Sequence, residues 1–218
     1  MTILCATPRR LIPEFDSCEE RVLCTLVFVL NGASFAATGP NHLTANAAAV
    51  LQRAGNRVVQ ISNGSINSPS AYKALARSIV NRAHGQAIGL VGFSAGGALA
   101  LRIATTPGLQ VNAVLDYYGV PDVRAYLDRH VNDHSLRPIS GLAPFRPSTV
   151  WLLSGSIATS AHVVAAFGQF DPNVRASTSS ADLLQDHPEA KVYTYPGAHG
   201  VSITASRQAL DDFLSHLS

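Results

Sequence analysis

The hydrophobic and polar positions of this 218-residue chain follow two alternating rhythms. Short apolar runs, many of them rich in β-branched residues, recur at residues 22–30, 57–61, 87–92, 111–118, 162–168 and 191–195. Runs of this kind suit strands, and the continuous one at 22–30 suits a strand covered on both faces, where no side meets water. Between them lie segments whose spacing predicts helices, at 43–54, 71–83, 96–105, 123–130, around 181–185, and at 206–217. There the apolar side chains fall on one stripe of a helix. Gly55 and Gly85 close the first two, as glycines past a helix end commonly do. Strand and helix therefore take turns along most of the chain. That alternation implies right-handed βαβ units and an α/β fold, with a doubly wound, mostly parallel sheet carrying helices on both faces. No internal repeat or linker divides it, so residues 1–218 read as a single domain.

Two stretches depart from the rhythm. Residues 1–20 carry Pro8, Pro13 and scattered charges. A short edge strand or little regular structure is expected there, which leaves the N-terminal strands of such a fold short or missing. After the short helix at 123–130, the chain is rich in Pro and Ser around Trp151, Leu152 and Leu153. Residues 121–160 are the one candidate excursion, a small lid segment.

Composition narrows the function classes. Hydrophobic residues make up 47% of the chain, ample for a packed core. The 16 basic and 14 acidic residues leave a formal charge of +2 with no basic run, which argues against a nucleic-acid partner. No apolar run reaches the length of a membrane span, so no membrane partner is expected either. Cys5, Cys18 and Cys24 are odd in number and crowded near the start. They are read as reduced thiols, not as a disulfide framework or a metal site, and no cofactor is expected. Residues 22–30 followed by Ala33-Ser34-Phe35-Ala36 imitate a secretion signal, but Glu14, Asp16, Glu19 and Glu20 occupy the region that should be positive. A buried strand in a cytoplasmic protein is the favoured reading, with secretion the minority one.

The chemistry begins at Gly92-Phe93-Ser94-Ala95-Gly96, set between an apolar run and a helix pattern. A Gly-x-Ser-x-Gly in that setting reads as a nucleophile elbow, a sharp turn that lifts the serine hydroxyl clear of the sheet. Serine needs a base, and the base needs an orienting carboxylate. In chain order after Ser94 come Asp171, in Phe167-Gly168-Gln169-Phe170-Asp171-Pro172, and His199, in Tyr195-Pro196-Gly197-Ala198-His199-Gly200. Both follow predicted strands, at the carboxyl ends where α/β sheets place their sites. An oxyanion formed at Ser94 would need two backbone donors, each worth about 3–4 kcal/mol of barrier. The N–H of Ala95 is one candidate, and Gly32 or Ala33, in the loop after the first strong strand, supplies the other. The Ser34 hydroxyl is placed to assist.

Rival assignments exist for each residue. Ser94 could be a plain helix cap. Asp122, after the 111–118 strand, competes with Asp171, whereas Asp116 lies within a strand and supports structure. His187 and His216 compete with His199, but the first sits in a turn before Pro188 and the second in the last helical turn. His130 and His134 are four apart with no third ligand near, and read as a solvated face. Tyr117, Tyr118, Tyr126, Phe145 and Trp151 are candidate pocket walls that are more often core.

Several of these segments together resemble the dienelactone hydrolase branch of the α/β-hydrolases. The resemblance lies in residues 89–97 around Val91-Gly92-Phe93-Ser94-Ala95-Gly96-Gly97, in residues 111–119 ending Asp116-Tyr117-Tyr118-Gly119, and in the Phe167–Asp171 and Tyr195–His199 motifs. It extends over most of residues 22–217. It implies the α/β-hydrolase fold, a nucleophile at position 94, and a triad completed by Asp171 and His199. The family typically carries Cys where this chain has Ser94. The arginine it normally places a turn after the histidine is replaced in the Ile203 region, with Arg207 further on, and the acidic residue of its first oxyanion loop is missing from residues 31–38. A serine esterase of similar shape is therefore expected, in preference to an enzyme for dienelactone itself.

The leading expectation is a serine carboxylic-ester hydrolase acting through an acyl-enzyme on a small or medium acyl ester or thioester. A non-hydrolytic acyl transferase, cyclase or lyase using the same triad is the alternative, since the scaffold does not fix which nucleophile reaches the acyl group. A ligand-binding protein on a hydrolase fold is a third.

Overall fold

The computed structural model describes residues 25–32, 41–61, 68–132 and 156–217, without the side chains of Leu127 and residues 129–132. Six parallel strands form one sheet: β1 (Leu26–Leu30), β2 (Arg57–Ile61), β3 (Ile88–Phe93), β4 (Val111–Tyr117), β5 (His162–Gly168) and β6 (Lys191–Tyr195). Among the described residues six α-helices accompany them: α1 (His42–Arg53), α2 (Pro69–Ala83), α3 (Ala95–Ile103), α4 (Val123–Asn132), α5 (Ala176–Asp186) and α6 (Arg207–Ser215). The strand order is β2-β1-β3-β4-β5-β6. The chain first winds outward from β1 to β2, then crosses back over β1 to β3 and proceeds the other way. The order reverses between β1 and β3, and open α/β sheets bind ligands outside the carboxyl ends of strands at such a reversal.

The pleat of β1 explains how the sheet is covered. Leu26, Phe28 and Leu30 point into one core, with Leu75 and Ile79 of α2, Leu99 of α3 and Leu183 of α5. Val27 and Val29 point into the other, with Ala47 and Leu51 of α1 and Leu210 and Phe213 of α6. Every residue of β1 and β3 is buried, as expected for strands with helices on both sides. Burial of each such large side chain stabilises the fold by about 1.5–3 kcal/mol.

Local chemistry sets the helix starts. Asn41 caps α1 in a reciprocal pair with Thr44, its side chain accepting the Leu43 and Thr44 N–H groups. Ser68 accepts the Ala71 N–H and Pro69 supplies the first helical residue, so α2 begins two residues before the sequence pattern suggested. Helix α5 extends the expected 181–185 helix back to Ala176. Only Ser179 and Leu183 of it are buried, so its apolar stripe is thin. The first strand starts at Leu26, with Thr25 outside it and residues 22–24 outside the described residues. The expected structure of residues 1–20, the three cysteines, Ser34, His134, Phe145, Trp151 and residues 133–155 of the lid segment also fall outside them. Among the described residues, no helix is long and apolar enough to cross a membrane.

Candidate active site

The turn after β3 is the structural centre of the site. Ser94 sits between Phe93, the last residue of β3, and Ala95, the first of α3, with φ 52° and ψ −120°. A side chain other than glycine's rarely adopts this conformation, which costs of order 1–3 kcal/mol. It is held by packing and by the Ser94 N–H, which donates to Tyr117 O at 2.8 Å. The flanking glycines are required by contact. A Cβ on Gly92 would lie 2.1 Å from Gly96 O, and one on Gly96 would lie 2.5 Å from Asn31 O. Backbone crosses backbone at both points, leaving no flexible side chain to yield.

Ser94 precedes a helix but does not cap it: its side chain makes no capping hydrogen bond. Its Oγ lies 3.0 Å from His199 Nε2 instead. His199 Nδ1 lies 2.8 Å from Asp171 Oδ2. Residues separated by 105 and 28 positions in sequence thus form one continuous chain of hydrogen bonds. The Asp171 side chain is inaccessible to solvent, whereas the His199 ring retains 20% exposure. The carboxylate is held from behind, because Oδ1 accepts the Asn173 and Val174 N–H groups at 2.8 and 2.9 Å. A turn led by Asp and satisfied two and three residues later is a local device. It leaves Oδ2 free for the imidazole.

His199 is positioned from several sides. The Tyr118 ring lies 4.5 Å from the imidazole, centroid to centroid, and its hydroxyl donates to Val201 O at 3.3 Å. Tyr118 itself has φ 43°. The Tyr117 hydroxyl reaches the carbonyls of Ile203 and Ser206, which ties down the chain beyond His199. Burial raises the ionisation of both phenols above the usual tyrosine range, so both stay neutral donors.

Beneath the elbow lies Asp116, fully buried at the end of β4. Its Oδ1 accepts the Gly119 N–H at 2.9 Å, while Oδ2 meets no partner among the described residues. Burial pushes this carboxyl up to about 7. Gly97 and Gly119 close over it, since a Cβ on either would fall 1.9 or 2.2 Å from Oδ1. Asp122, the rival acid, accepts the Ala125 N–H at 2.9 Å in the first turn of α4. His187 ends α5, and His216 lies beside Asp212 and His162, so neither joins the Ser94 chain.

Of the two expected oxyanion loops, Ala95 begins α3, where a helix leaves its first N–H groups without an internal acceptor. Gly32 lies against the elbow, and a Cβ there would sit 2.9 Å from Phe93 O and 3.3 Å from Ser94 Cβ. Ala33 is outside the described residues. The sequence reading missed Asn173 and Val174 as supports of Asp171, and no side-chain signal marks a backbone donor. The Asp171-Pro172-Asn173 turn pattern was the available clue. It also treated Tyr118 only as a core residue or pocket wall.

The parallel sheet with a strand–serine–helix turn and a Ser–His–Asp chain at its carboxyl end places the molecule among the α/β hydrolases. More narrowly, residues 44–209 match the dienelactone hydrolase family, and the chain belongs to that family. Solved structures agree on the fold. A carboxylesterase from Lactobacillus plantarum WCFS1 superposes with a TM-score of 0.63 at 21% identity, over 81% of this chain and 73% of that one. Alpha/beta hydrolase domain-containing protein 10 from mouse gives 0.65 at 15% identity, over 88% and 90%. A carboxylesterase from the archaeon Nitrososphaera gargenis gives 0.62 at 15%, over 89% and 90%. Among curated proteins, none matches the chain by sequence. Hydrolase activity follows from the family.

Proposed function

We propose that the protein is a serine carboxylic-ester hydrolase in which Ser94 is the nucleophile, His199 the general base and acid, and Asp171 the orienting carboxylate. The observation that carries this reading is the unbroken Ser94–His199–Asp171 hydrogen-bond chain, at 3.0 and 2.8 Å. His199 Nε2 accepts the Ser94 proton as Oγ attacks the ester carbonyl carbon. The tetrahedral oxyanion is met by the Ala95 N–H and by a backbone N–H of the loop after β1, at Gly32 or Ala33. Collapse breaks the bond to the leaving alkoxide or thiolate, which takes the proton from His199. Water then enters, gives its proton to His199 and attacks the acyl-enzyme, and Ser94 recovers its proton as the carboxylic acid leaves. No step requires a metal or cofactor. The substrate is a small or medium acyl ester or thioester.

The test is covalent labelling with a fluorophosphonate, mapped by mass spectrometry, alongside p-nitrophenyl ester hydrolysis. Ser94 is expected to carry the label, and Ser94→Ala is expected to lose both label and turnover while folding normally. A folded wild-type protein that takes no label would sink the serine mechanism. Labelling without hydrolysis of any ester or thioester in a chain-length series would move the reading to acyl transfer.

A further inference from the structure

A second cluster of reactive side chains sits where β5 begins and α6 ends. His162 is the first residue of β5, and Asp212 and His216 lie four residues apart at the end of α6, on one face. His162 Nε2 is 2.9 Å from Asp212 Oδ1, and His216 Nδ1 is 3.2 Å from the same oxygen. One ligand atom from each of the three residues lies within 4.8 Å of the others. The two imidazoles face each other, with centroids 3.5 Å apart and planes 12° from parallel. The other carboxylate oxygen is already engaged, because the Tyr193 hydroxyl donates to Asp212 Oδ2 at 2.8 Å. The cluster borders a cleft of about 730 Å³ lined by residues 104–112 and 158–160 together with both histidines.

We propose that His162, Asp212 and His216 bind a divalent d-block cation of the zinc type. Two imidazoles and one carboxylate are a donor set such ions favour, and water from the cleft completes a tetrahedron. Metal–ligand bonds of about 2.0–2.1 Å at tetrahedral angles put neighbouring donors roughly 3.3–3.5 Å apart. The contacts of 2.9 and 3.2 Å to Oδ1 are already close to that. Without a cation, two rings converge on one carboxylate oxygen. Binding requires the rings to splay from their stack by side-chain rotation, and His216 Nδ1 to give up its contacts with Asp212 O at 2.9 Å and Ser215 Oγ at 3.0 Å.

The surrounding backbone is already fixed. Thr25 Oγ1 and Asn112 Nδ2 both donate to Leu217 O at 2.9 Å, anchoring the residue after His216. Tyr193 orients the carboxylate as an outer-shell partner orients a metal ligand. The site lies at the amino ends of the strands, roughly 20 Å of strand length from the Ser94 end. It therefore clamps α6 to β5 and takes no part in ester chemistry.

The test uses the untagged full chain, stripped with EDTA, with Zn²⁺ or Co²⁺ titrated by calorimetry and thermal unfolding. One ion per chain is expected, with Co²⁺ giving the intense visible absorption of tetrahedral coordination. At a hundredfold excess over Kd, the midpoint of unfolding should rise by roughly 5–10 °C. His162→Gln and His216→Gln should each weaken binding roughly tenfold or more and remove at least about half of that shift. Asp212→Asn should do the same and serves if a histidine variant fails to fold. Ser94→Ala should bind as wild type does. Absence of binding up to millimolar ion, or undiminished binding in the ligand variants, would overturn the proposal.

Discussion

Asp171→Asn is the sharpest probe of the candidate active site, because the structure dictates how the new amide must lie. Asp171 Oδ1 accepts two backbone N–H groups, from Asn173 and Val174. In the variant, the amide oxygen keeps that place. The reverse orientation would aim the NH2 group at two donors in a buried site, leaving them unsatisfied at about 1–3 kcal/mol each. The NH2 group therefore faces His199 Nδ1, where Oδ2 now stands at 2.8 Å. It donates, so Nδ1 must accept and the ring proton moves to Nε2. That nitrogen lies 3.0 Å from Ser94 Oγ and, once protonated, can no longer take the serine proton. The same exchange in serine proteases costs about 10⁴ in kcat, close to 5.5 kcal/mol of barrier. KM should change little, because Asp171 is shielded from solvent by its own loop. The assay is p-nitrophenyl acetate hydrolysis near pH 7.5, with the melting temperature measured on the same sample. A variant that melts within a few degrees of wild type yet turns over within tenfold of it would refute the orienting role. Asp122 would then be the acid to test.

Two further expectations concern stability. Gly92→Ala forces a Cβ to 2.1 Å from Gly96 O and should cost about 3 kcal/mol or more in urea melts, while Gly55→Ala, which meets nothing within 4 Å, should cost only about 1–2 kcal/mol for its left-handed backbone. Near-equal losses would mean that the elbow relaxes. Asp116 titrates near 7 when folded against an ordinary value of 3.8, so the native state holds a proton that the unfolded chain has released between those values. Its favourable contribution is complete below about pH 4 and is lost as pH rises through 7, a swing on the order of 4 kcal/mol. Asp116→Asn carries no such titration, so its stability relative to wild type should climb from pH 4 to pH 8, and a flat difference would discount the buried carboxyl.

How much of this was legible in the sequence depends on whether a feature is local. The central strands were legible because a parallel strand buried on both faces writes an unbroken apolar run, as Leu26–Leu30 does, whereas the edge strands β2 and β6 are only partly buried and carry Arg57, Gln60, Lys191 and Thr194 among their apolar residues. The start of α5 was not, because residues 176–180 are Ala, Ser and Thr, with Ser179 the one buried residue among them. Ser94, Asp171 and His199 were legible as motifs in a known order. Whether Ser94 caps a helix or faces an imidazole is a matter of side-chain direction, which only the folded turn decides. His162, Asp212 and His216 left no readable trace, since 50 residues separate the first pair and tertiary packing alone brings them together.

The spacing of Asp171 and His199 is set by backbone register, not by the two side chains finding one another. Gly168 ends β5 opposite Tyr195, the end of β6. The ladder then continues past both strands, as Gln169 N–H donates to Tyr195 O at 3.0 Å and Phe170 N–H to Gly197 O at 2.9 Å. Three residues beyond Gly168 stands Asp171, and four beyond Tyr195 stands His199. Close approach of the two loops demands a glycine at 168, where a Cβ would lie 2.5 Å from Gly197 O. A one-residue slip between β5 and β6 would turn every alternating side chain to the opposite face and separate the carboxylate from the imidazole. Register is in turn enforced by the buried residues, because Val164 must enter one core and Phe167 the other. The same apolar pattern that builds the sheet thus holds the carboxylate 2.8 Å from the imidazole.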